Sequence, residues 1–438
     1  EYIVNPGTNL DDSKRSIELA EKHAGVYACV GFHPHDAKKA NEKSLHEIEQ
    51  LSKHPKVVAI GEIGLDFHYD YSPRDVQVEI FKAQIEIAQR RNLPIVIHTR
   101  DSTEETITIV EEALSSDPYW RSQMATPHSR YPAAKGVFHC FSGDVSLAWK
   151  VINMGFFVSV PGVVTFKNAG NAAEVAGKIS IEHLLLETDS PYLAPVPLRG
   201  KRNEPANIPL IAEKIAALQQ LDVNDVARAT NYNVFKLFGV GEINSPRITY
   251  RLRNSLYVNL TIRCNADCVF CDRKGEAVIK GHNLRITREP SVQDVIHEIV
   301  DPTRYDEIVF CGYGEPTIRL DAVKEISQWV KEHGGMTRLN TDGQGNVINK
   351  RNIVPELVGV IDAVSISLNT ADPQQYGDLM RLDGEKYFAA MIEFARESVN
   401  LLPRVMMTIV DIDGVDKEKA RCLVEDEIGA TFITRPYF

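Results

Sequence analysis

Short apolar runs alternate with amphipathic stretches along most of this chain, and their spacing sets its organisation. Up to about residue 240, runs at 2–5, 26–31, 57–61, 93–98, 136–140, 156–160 and 183–187 are rich in β-branched and aliphatic residues and bounded by Gly, Pro or polar positions. They read as strands. The clearest helix between them covers 74–91, with Val78, Phe81, Ile85 and Ala88 on one face and charges opposite. Two more helices, at 205–219 and 223–238, close this half. Alternating strand and helix implies parallel pairing, and near-continuous apolar strands over so long a run favour a closed barrel. Seven strands are legible where a (β/α)8 barrel has eight, so the pattern predicts an α/β fold of TIM type lacking its first strand.

Residues 239–246, Gly-Val-Gly-Glu-Ile-Asn-Ser-Pro, break the last helix and read as a linker. A second α/β series follows, with strands at 256–262, 307–311, 336–341, 363–368, 403–410 and 431–434. These six predict a partial (β/α)6 barrel. The expected domains are therefore 1–240 and 247–438.

The chain of 438 residues is 43% hydrophobic and 25% charged, which excludes disorder as its main state. Its 49 basic and 60 acidic residues give a net charge of −11, so no global basic field holds nucleic acid and any such contact must be local. No apolar run reaches the length of a membrane span and no signal-peptide pattern appears, so a soluble, cytoplasmic protein is expected. Seven cysteines, three of them clustered at Cys264, Cys268 and Cys271, do not suggest a disulfide framework. The other four, Cys29, Cys140, Cys311 and Cys422, are expected to be small buried hydrophobes.

In a parallel barrel the ligands of an active site are the last strand residues or the first loop residues. Here Glu62 follows Val-Val-Ala-Ile-Gly, His98 ends Leu-Pro-Ile-Val-Ile, His139 ends Gly-Val-Phe, and Asp189 follows Leu-Leu-Leu-Glu-Thr. His33 and His35 follow Val-Gly-Phe in the same way. Mixed imidazole and carboxylate donors suit a divalent ion that activates water and neutralises a phosphodiester. Gly-Phe-His-Pro-His, Gly-Glu62-Ile-Gly-Leu-Asp66, Ile-His98-Thr-Arg-Asp, Phe-His139-Cys-Phe-Ser-Gly and Glu-Thr-Asp189-Ser-Pro together resemble the TatD-family metal-dependent hydrolases. The resemblance implies deoxyribonuclease chemistry, including exonuclease action from a 3′ end, on DNA or another phosphodiester. It puts Zn, Mn or Mg on Glu62, His98, His139 and Asp189, with Glu62 and Asp189 also catalytic. Arg202 and Asn203 resemble the family's substrate loop and read equally as a solvated basic turn. Family members open with a strand ending in a His-x-His pair, which is expected to precede Glu1. An alternative reading follows, in which this barrel binds nucleic acid or a partner without cutting.

Cys264-Asn-Ala-Asp-Cys268-Val-Phe-Cys271 lies in a loop after the strand at 256–262, and lets three thiolates wrap one centre. Structural zinc sites want four ligands, whereas three cysteines suit a [4Fe–4S] cluster with one open iron. A purely structural iron–sulfur module remains the rival reading. The motif resembles the radical S-adenosylmethionine superfamily, and in particular members associated with TatD-type nucleases. That resemblance implies S-adenosylmethionine on the open iron, reductive cleavage to a 5′-deoxyadenosyl radical, and a reductant of flavodoxin or ferredoxin type. Gly312-Tyr-Gly314-Glu315-Pro resembles the loop that binds the methionyl amine, with Tyr313 at a usual glycine, and Phe270 matches the aromatic beside adenine. Asn340, Asp342, Ser365, Ser367 and Asn369, at strand ends, are candidates for the ribose or carboxylate. No substrate and no oligomeric state follow from the sequence.

Overall fold

The computed structural model describes residues 2–122 and 134–436. The chain divides into two compact units, Glu1–Ile243 and Asn244–Phe438.

In the first unit seven strands, β1 (Ile3–Pro6), β2 (Val26–Val30), β3 (Val57–Asp66), β4 (Ile95–Arg100), β5 (Gly136–Phe138), β6 (Phe156–Val160) and β7 (Leu184–Leu186), pair in chain order. Every pairing is parallel. Helices α1 (Leu10–Lys22), α2 (Glu42–Leu51), α3 (Arg74–Arg91), α4 (Thr103–Ser116), α5 (Val145–Asn153) and α6 (Asn171–Lys178) alternate with the strands. Two more, α7 (Ile208–Gln219) and α8 (Val223–Phe238), follow β7. Strand order without a reversal is the order of a barrel, not of a doubly wound sheet. Ile60, Ile63, Leu65, Ile97, Phe138 and Val158 belong to the core shared with the helices. A smaller cluster of Cys29, Ala59, Val96, Val137, Phe157 and Leu185 packs with Leu237 and Val240 from the end of α8 and beyond.

Two expectations need correction here. The strand read as ending at Gly61 continues to Asp66, because β4 stays paired with it as far as Asp66 opposite Arg100. An irregularity between Ile60 and Ile63 places one extra residue on β3, so that both isoleucines face the helices. Such a bulge re-aims the residues beside it, here Glu62. Gly64, at φ 140°, is required because a Cβ there would lie 2.0 Å from the carbonyl oxygen of His98. The second correction concerns α3, whose buried face includes Gln77 and Gln84, each fully buried, while Val78 is only half-buried.

The second unit opens with an antiparallel pair, β8 (Thr249–Leu252) and β9 (Ser255–Val258), joined by a two-residue turn in which Arg253 has φ 54°. The sequence pattern did not predict β8; its mixed polar residues give no clean alternation, and pairing with β9 decides its conformation. A small hairpin, β10 (Val278–Ile279) with β11 (His282–Asn283), stands apart from the main sheet. Strands β12 (Ile308–Phe310), β13 (Thr337–Thr341), β14 (Ala363–Ser367), β15 (Val405–Asp411) and β16 (Thr431–Pro436) complete a sheet ordered β16-β15-β14-β13-β12-β9-β8. All pairs from β9 to β16 are parallel, the arrangement expected of a partial (β/α)6 barrel. Helices α9 (Val292–Ile299), α10 (Leu320–Glu332), α11 (Gly345–Asn349), α12 (Val354–Leu357), α13 (Pro373–Met380), α14 (Gly384–Leu401) and α15 (Lys417–Cys422) lie between the strands. Leu256, Val258, Phe310, Leu339, Val364, Ile366, Met407 and Ile409 form the core on one sheet face. By strand alternation Tyr257, Cys311, Arg338, Asn340, Ser365, Ser367, Met406 and Thr408 belong to the other face. Of the four scattered cysteines only Cys29 is buried; Cys140 and Cys311 are half-buried and Cys422 is exposed. Among the described residues no helix is long and apolar enough to cross a membrane.

Candidate functional site

In the first unit one carboxylate oxygen gathers the site. Glu62 Oε1 lies 2.8 Å from His98 Nδ1, 2.8 Å from His139 Nε2 and 3.3 Å from His33 Nε2. These groups come from β3, β4, the residue after β5 and the loop after β2, so the sheet must curl for them to meet. His33, Glu62 and His98 bring one ligand atom each to within 4.8 Å of one another. His139 Nε2 is sealed from solvent, and its approach to Glu62 is not aligned as a hydrogen bond.

Further carboxylates surround this set. Asp66 Oδ2 accepts from or faces His35 Nε2 at 2.9 Å and His98 Nε2 at 3.2 Å. Glu187 Oε2 stands 3.4 Å from His139 Nδ1, and its Oε1 accepts the backbone N–H of Cys140. Burial would raise Glu62, yet the three imidazoles outweigh it and hold this carboxyl well below its ordinary value. Burial likewise opposes charge on His139, but Glu62 and Glu187 lift it well above the usual imidazole range. His98 is raised against its burial by Asp66 and Glu62, whereas burial wins at His33 and lowers it. The carboxylates thus demand positive charge, and imidazolium protons supply it where a dication would serve. The donor set and its electrostatics fit a divalent metal. Asp189, half-buried on the loop after β7, is pushed up to about 6 by burial together with Glu187 and Glu62, against the pull of His139.

Two buried amides hold this frame. Gln84 Oε1 accepts the Phe32 N–H at 2.6 Å while its Nε2 donates to the Phe32 carbonyl at 3.1 Å, which fixes the residue before His33. Seven residues earlier on α3, Gln77 does the same for Asp66, at 2.8 and 3.1 Å. Neither glutamine was legible as functional from the helical pattern. Asp66 and Glu62 share a strand face, separated by Gly64, and that period of two was the signal available for Asp66. At the rim, Tyr69 and Tyr71 are stacked 5.2 Å apart at 3°, and are 46% and 55% exposed. Tyr71 lies 4.8 Å from His35, and the Arg100 guanidinium sits 4.7 Å over Tyr69. Asn203 does not face out as a substrate loop residue. It is buried, donates to the Thr188 and Tyr192 carbonyls at 2.7 Å each, and accepts from Asn207 and Glu204, while Arg202 is exposed.

In the second unit Cys264, Cys268 and Cys271 are half-buried on the loop after β9. The loop is pinned to the end of α13, where the Asp267 and Val269 N–H groups donate to the carbonyls of Met380 and Leu379. Burial pushes Cys264 up to about 12 and raises Cys268 and Cys271, with Cys264 and Cys271 both acting on Cys268. The three thiols are thus neighbours, yet among the described residues they do not form a trio with ligand atoms within 4.8 Å. Three thiols on one loop are a donor set compatible with an iron–sulfur cluster that keeps one iron open.

Gly314 must lack a Cβ, which would lie 2.2 Å from the Thr261 carbonyl oxygen. That close approach lets the Glu315 N–H donate to the Arg263 carbonyl at 2.9 Å, docking the acidic loop on the cysteine loop. The Glu315 carboxylate, 2% exposed, accepts from Thr317 N and Oγ1 at 2.9 and 2.6 Å, Thr341 Oγ1 at 3.0 Å and Asp342 N at 2.8 Å. Asp342 is raised well above the carboxylate range by burial and by Glu315. Phe270 is half-buried against the core, and Gly312 faces Asn259. Ser365 is nearly buried; Ser367 meets Arg435, and Asn340 accepts from Arg338 at 3.0 Å.

Comparison with known proteins agrees with both halves. Residues 1–239 match the family model for TatD related DNase, and 258–425 match that for the radical SAM superfamily. An uncharacterised metal-dependent hydrolase, YabD, of Bacillus subtilis is 42% identical over 240 residues, spanning 55% of this chain and 88% of its own. The 3'-5' ssDNA/RNA exonuclease TatD of Escherichia coli K12 is 35% identical over 243 residues, 54% of this chain and 87% of its own. A solved TatD homolog from Escherichia coli, YjjV, is 28% identical, covers 55% of this chain and 87% of its own, and superposes with a TM-score of 0.48. The chain belongs to the TatD-related DNase family through its first unit, a metal-dependent hydrolase domain, and joins to it a radical S-adenosylmethionine domain.

Proposed function

We propose that residues 1–240 are a metal-dependent phosphodiesterase acting on single-stranded nucleic acid from a 3′ end, and that residues 247–438 cleave S-adenosylmethionine reductively on a [4Fe–4S] cluster. The observation that carries the first half is the single oxygen of Glu62 shared by three imidazoles. Glu62, His98, His139 and Asp189, joined by His33, would hold a divalent ion, Zn, Mn or Mg. When bound, such an ion supplies Lewis-acid charge and an acidified water. Asp66 and Glu187 orient His98 and His139 from behind, the second layer that fixes an imidazole's donor atom. Asp189, on the loop after β7, would offer a carboxylate oxygen to the proton of the attacking water. The stacked Tyr69 and Tyr71 offer faces to unpaired bases, and the exonuclease among the relatives supports that substrate class.

In the second half Cys264, Cys268 and Cys271 would ligate the cluster, and Gly312, Gly314, Glu315, Phe270 and Ser365 would line the S-adenosylmethionine site, with Ser367 and Asn340 further along the same face. The group supplies one-electron reductive chemistry, drawn from a flavodoxin- or ferredoxin-type donor. Glu315 contributes fixed negative charge for the methionyl amine, and the cysteine loop is held by α13.

Two assays test this. Manganese-dependent shortening of a 5′-labelled single-stranded oligonucleotide should vanish in His139→Ala with folding intact; binding without cleavage in the wild type would favour the non-cutting reading. Anaerobic reconstitution with iron, sulfide, dithionite and S-adenosylmethionine should yield 5′-deoxyadenosine, and Cys268→Ala should lose both cluster absorbance and product. Zinc in the purified protein with no S-adenosylmethionine cleavage would promote the structural-module reading.

A further inference from the structure

The sheet face opposite the helix core of the second unit carries two arginines with different surroundings. Arg338 is fully engaged: Glu307 meets it at 2.8 Å, Asn340 Oδ1 accepts at 3.0 Å and Tyr257 Oη at 3.3 Å. Glu307 is shared with Arg404 at 3.3 Å, so no negative charge is left over there. Arg435, at the carboxyl end of β16, has among the described residues one hydrogen-bond partner, Ser367 Oγ, at 3.4 Å. Its Nε is sealed from solvent without a partner. Among the described residues the groups that act on it electrostatically are Cys311, Arg338 and Tyr257, and no carboxylate is among these.

A second orphan lies on the same sheet face. Thr408 is 3% exposed and its Oγ1 has no partner among the described residues. Strand register sets Thr408 opposite Ser367 on β14, and Ile433 opposite Thr408, two residues before Arg435 on the same face. A guanidinium and two hydroxyls, with no carboxylate among the described residues that act on the guanidinium, therefore share one face of the sheet, Arg435 standing opposite Val410, two residues beyond the Ser367–Thr408 level. Arg435 is half-buried, and a cation drawn partly out of water without a counter-charge is a candidate for completion by an anionic ligand. Arginine presents a planar fork matched to carboxylate and phosphate oxygens.

We propose that Arg435, Ser367 and Thr408 form an oxyanion site, so that the molecule processed by the radical domain carries a carboxylate or phosphate group. The inference rests on the radical S-adenosylmethionine reading only for the owner of the anion. The methionyl carboxylate is the competing source, but it belongs near the thiols, where the Glu315 loop docks through the Arg263 carbonyl, whereas Arg435 on β16 meets Ser367 on β14.

The test uses the full chain, with inorganic phosphate and acetate as probes. Added phosphate or acetate should raise the melting temperature of the wild type as RT ln(1 + [L]/Kd), climbing with the logarithm of concentration once it exceeds Kd. Arg435→Met should melt no lower than wild type without anion, because an uncompensated charge has been removed, and should lose the anion-dependent rise, an apparent Kd weakened tenfold or more. Arg435→Lys, which keeps the charge but not the fork, should retain a reduced response and guards against a folding defect in the methionine variant. The stronger probe names the anion class. An equal rise in wild type and Arg435→Met, or none in either, overturns the site. Loss of S-adenosylmethionine affinity in Arg435→Met, measured by equilibrium binding to the reconstituted protein, reassigns the arginine to the cosubstrate and also overturns the proposal. Failure to cleave S-adenosylmethionine with the anion response intact would fault the radical reading and leave the site standing.

Discussion

Replacing Gln84 by leucine tests whether α3 holds the metal-site frame. Gln84 is fully buried and makes two hydrogen bonds to the backbone of Phe32, which is itself 3% exposed. Leucine is of similar volume, so no large cavity opens, but the Phe32 N–H and carbonyl lose their partners inside the core. Two net hydrogen bonds are worth about 1–3 kcal/mol, and stranding the buried groups brings the expected loss to about 2–5 kcal/mol. For a unit of this size that is about 4–20 °C in melting temperature. His33 follows Phe32 directly, so slack there should also weaken divalent-metal affinity by about 10–100-fold, the usual effect of losing a supporting partner. Calorimetry reads the first effect and metal titration the second. Glu86→Gln, exposed on the same helix, is the control and should change stability by less than about 0.5 kcal/mol. If Gln84→Leu melts with the wild type and binds metal equally well, the glutamine does not position the loop and the account of α3 is wrong.

Three further outcomes are expected. Glu315→Ala removes an acceptor from four donors, two of them backbone N–H groups, and should lower one calorimetric transition by at least about 4 kcal/mol, whereas Glu315→Gln should be milder; equal stability of the alanine variant and wild type would contradict the hub described for that carboxylate. His183 is lowered from 6.5 to about 3 by burial, with Lys236 adding to it. The unfolded chain therefore binds the extra proton between those values, so stability falls as pH drops through this window, by roughly 2–3 kcal/mol at two units below the unfolded pKa. His183→Leu should flatten that part of the pH profile of urea unfolding, and an unchanged slope would count against it. Tyr71→Ala should weaken binding of a single-stranded oligonucleotide by about 1–3 kcal/mol while sparing hydrolysis of bis(p-nitrophenyl) phosphate, which has no base to stack.

The alternation of strand and helix, the break near residue 240 and the placement of His139 and Asp189 just past their strands were legible in the sequence, because period and punctuation are local properties of the chain; Glu62 and His98 instead lie inside β3 and β4, which stay paired as far as Asp66 and Arg100. The three cysteines and the Gly-Tyr-Gly-Glu loop were legible for the same reason, since their spacing lies within one loop each. What tertiary structure decided was which side chains share an atom. Glu62 reaches three imidazoles only because a bulge in β3 turns it inward and Gly64 lets β4 close on it. Gln77 and Gln84 read as interruptions of an apolar helix face until the backbone of Asp66 and Phe32 is seen beneath them. Asn203 resembled a substrate contact, yet it is spent on the carbonyls of its own loop. Arg435 and Thr408 carried no local signal at all: their meaning comes from register across β14, β15 and β16, and pairing between strands distant in sequence is not written in the period of any one of them.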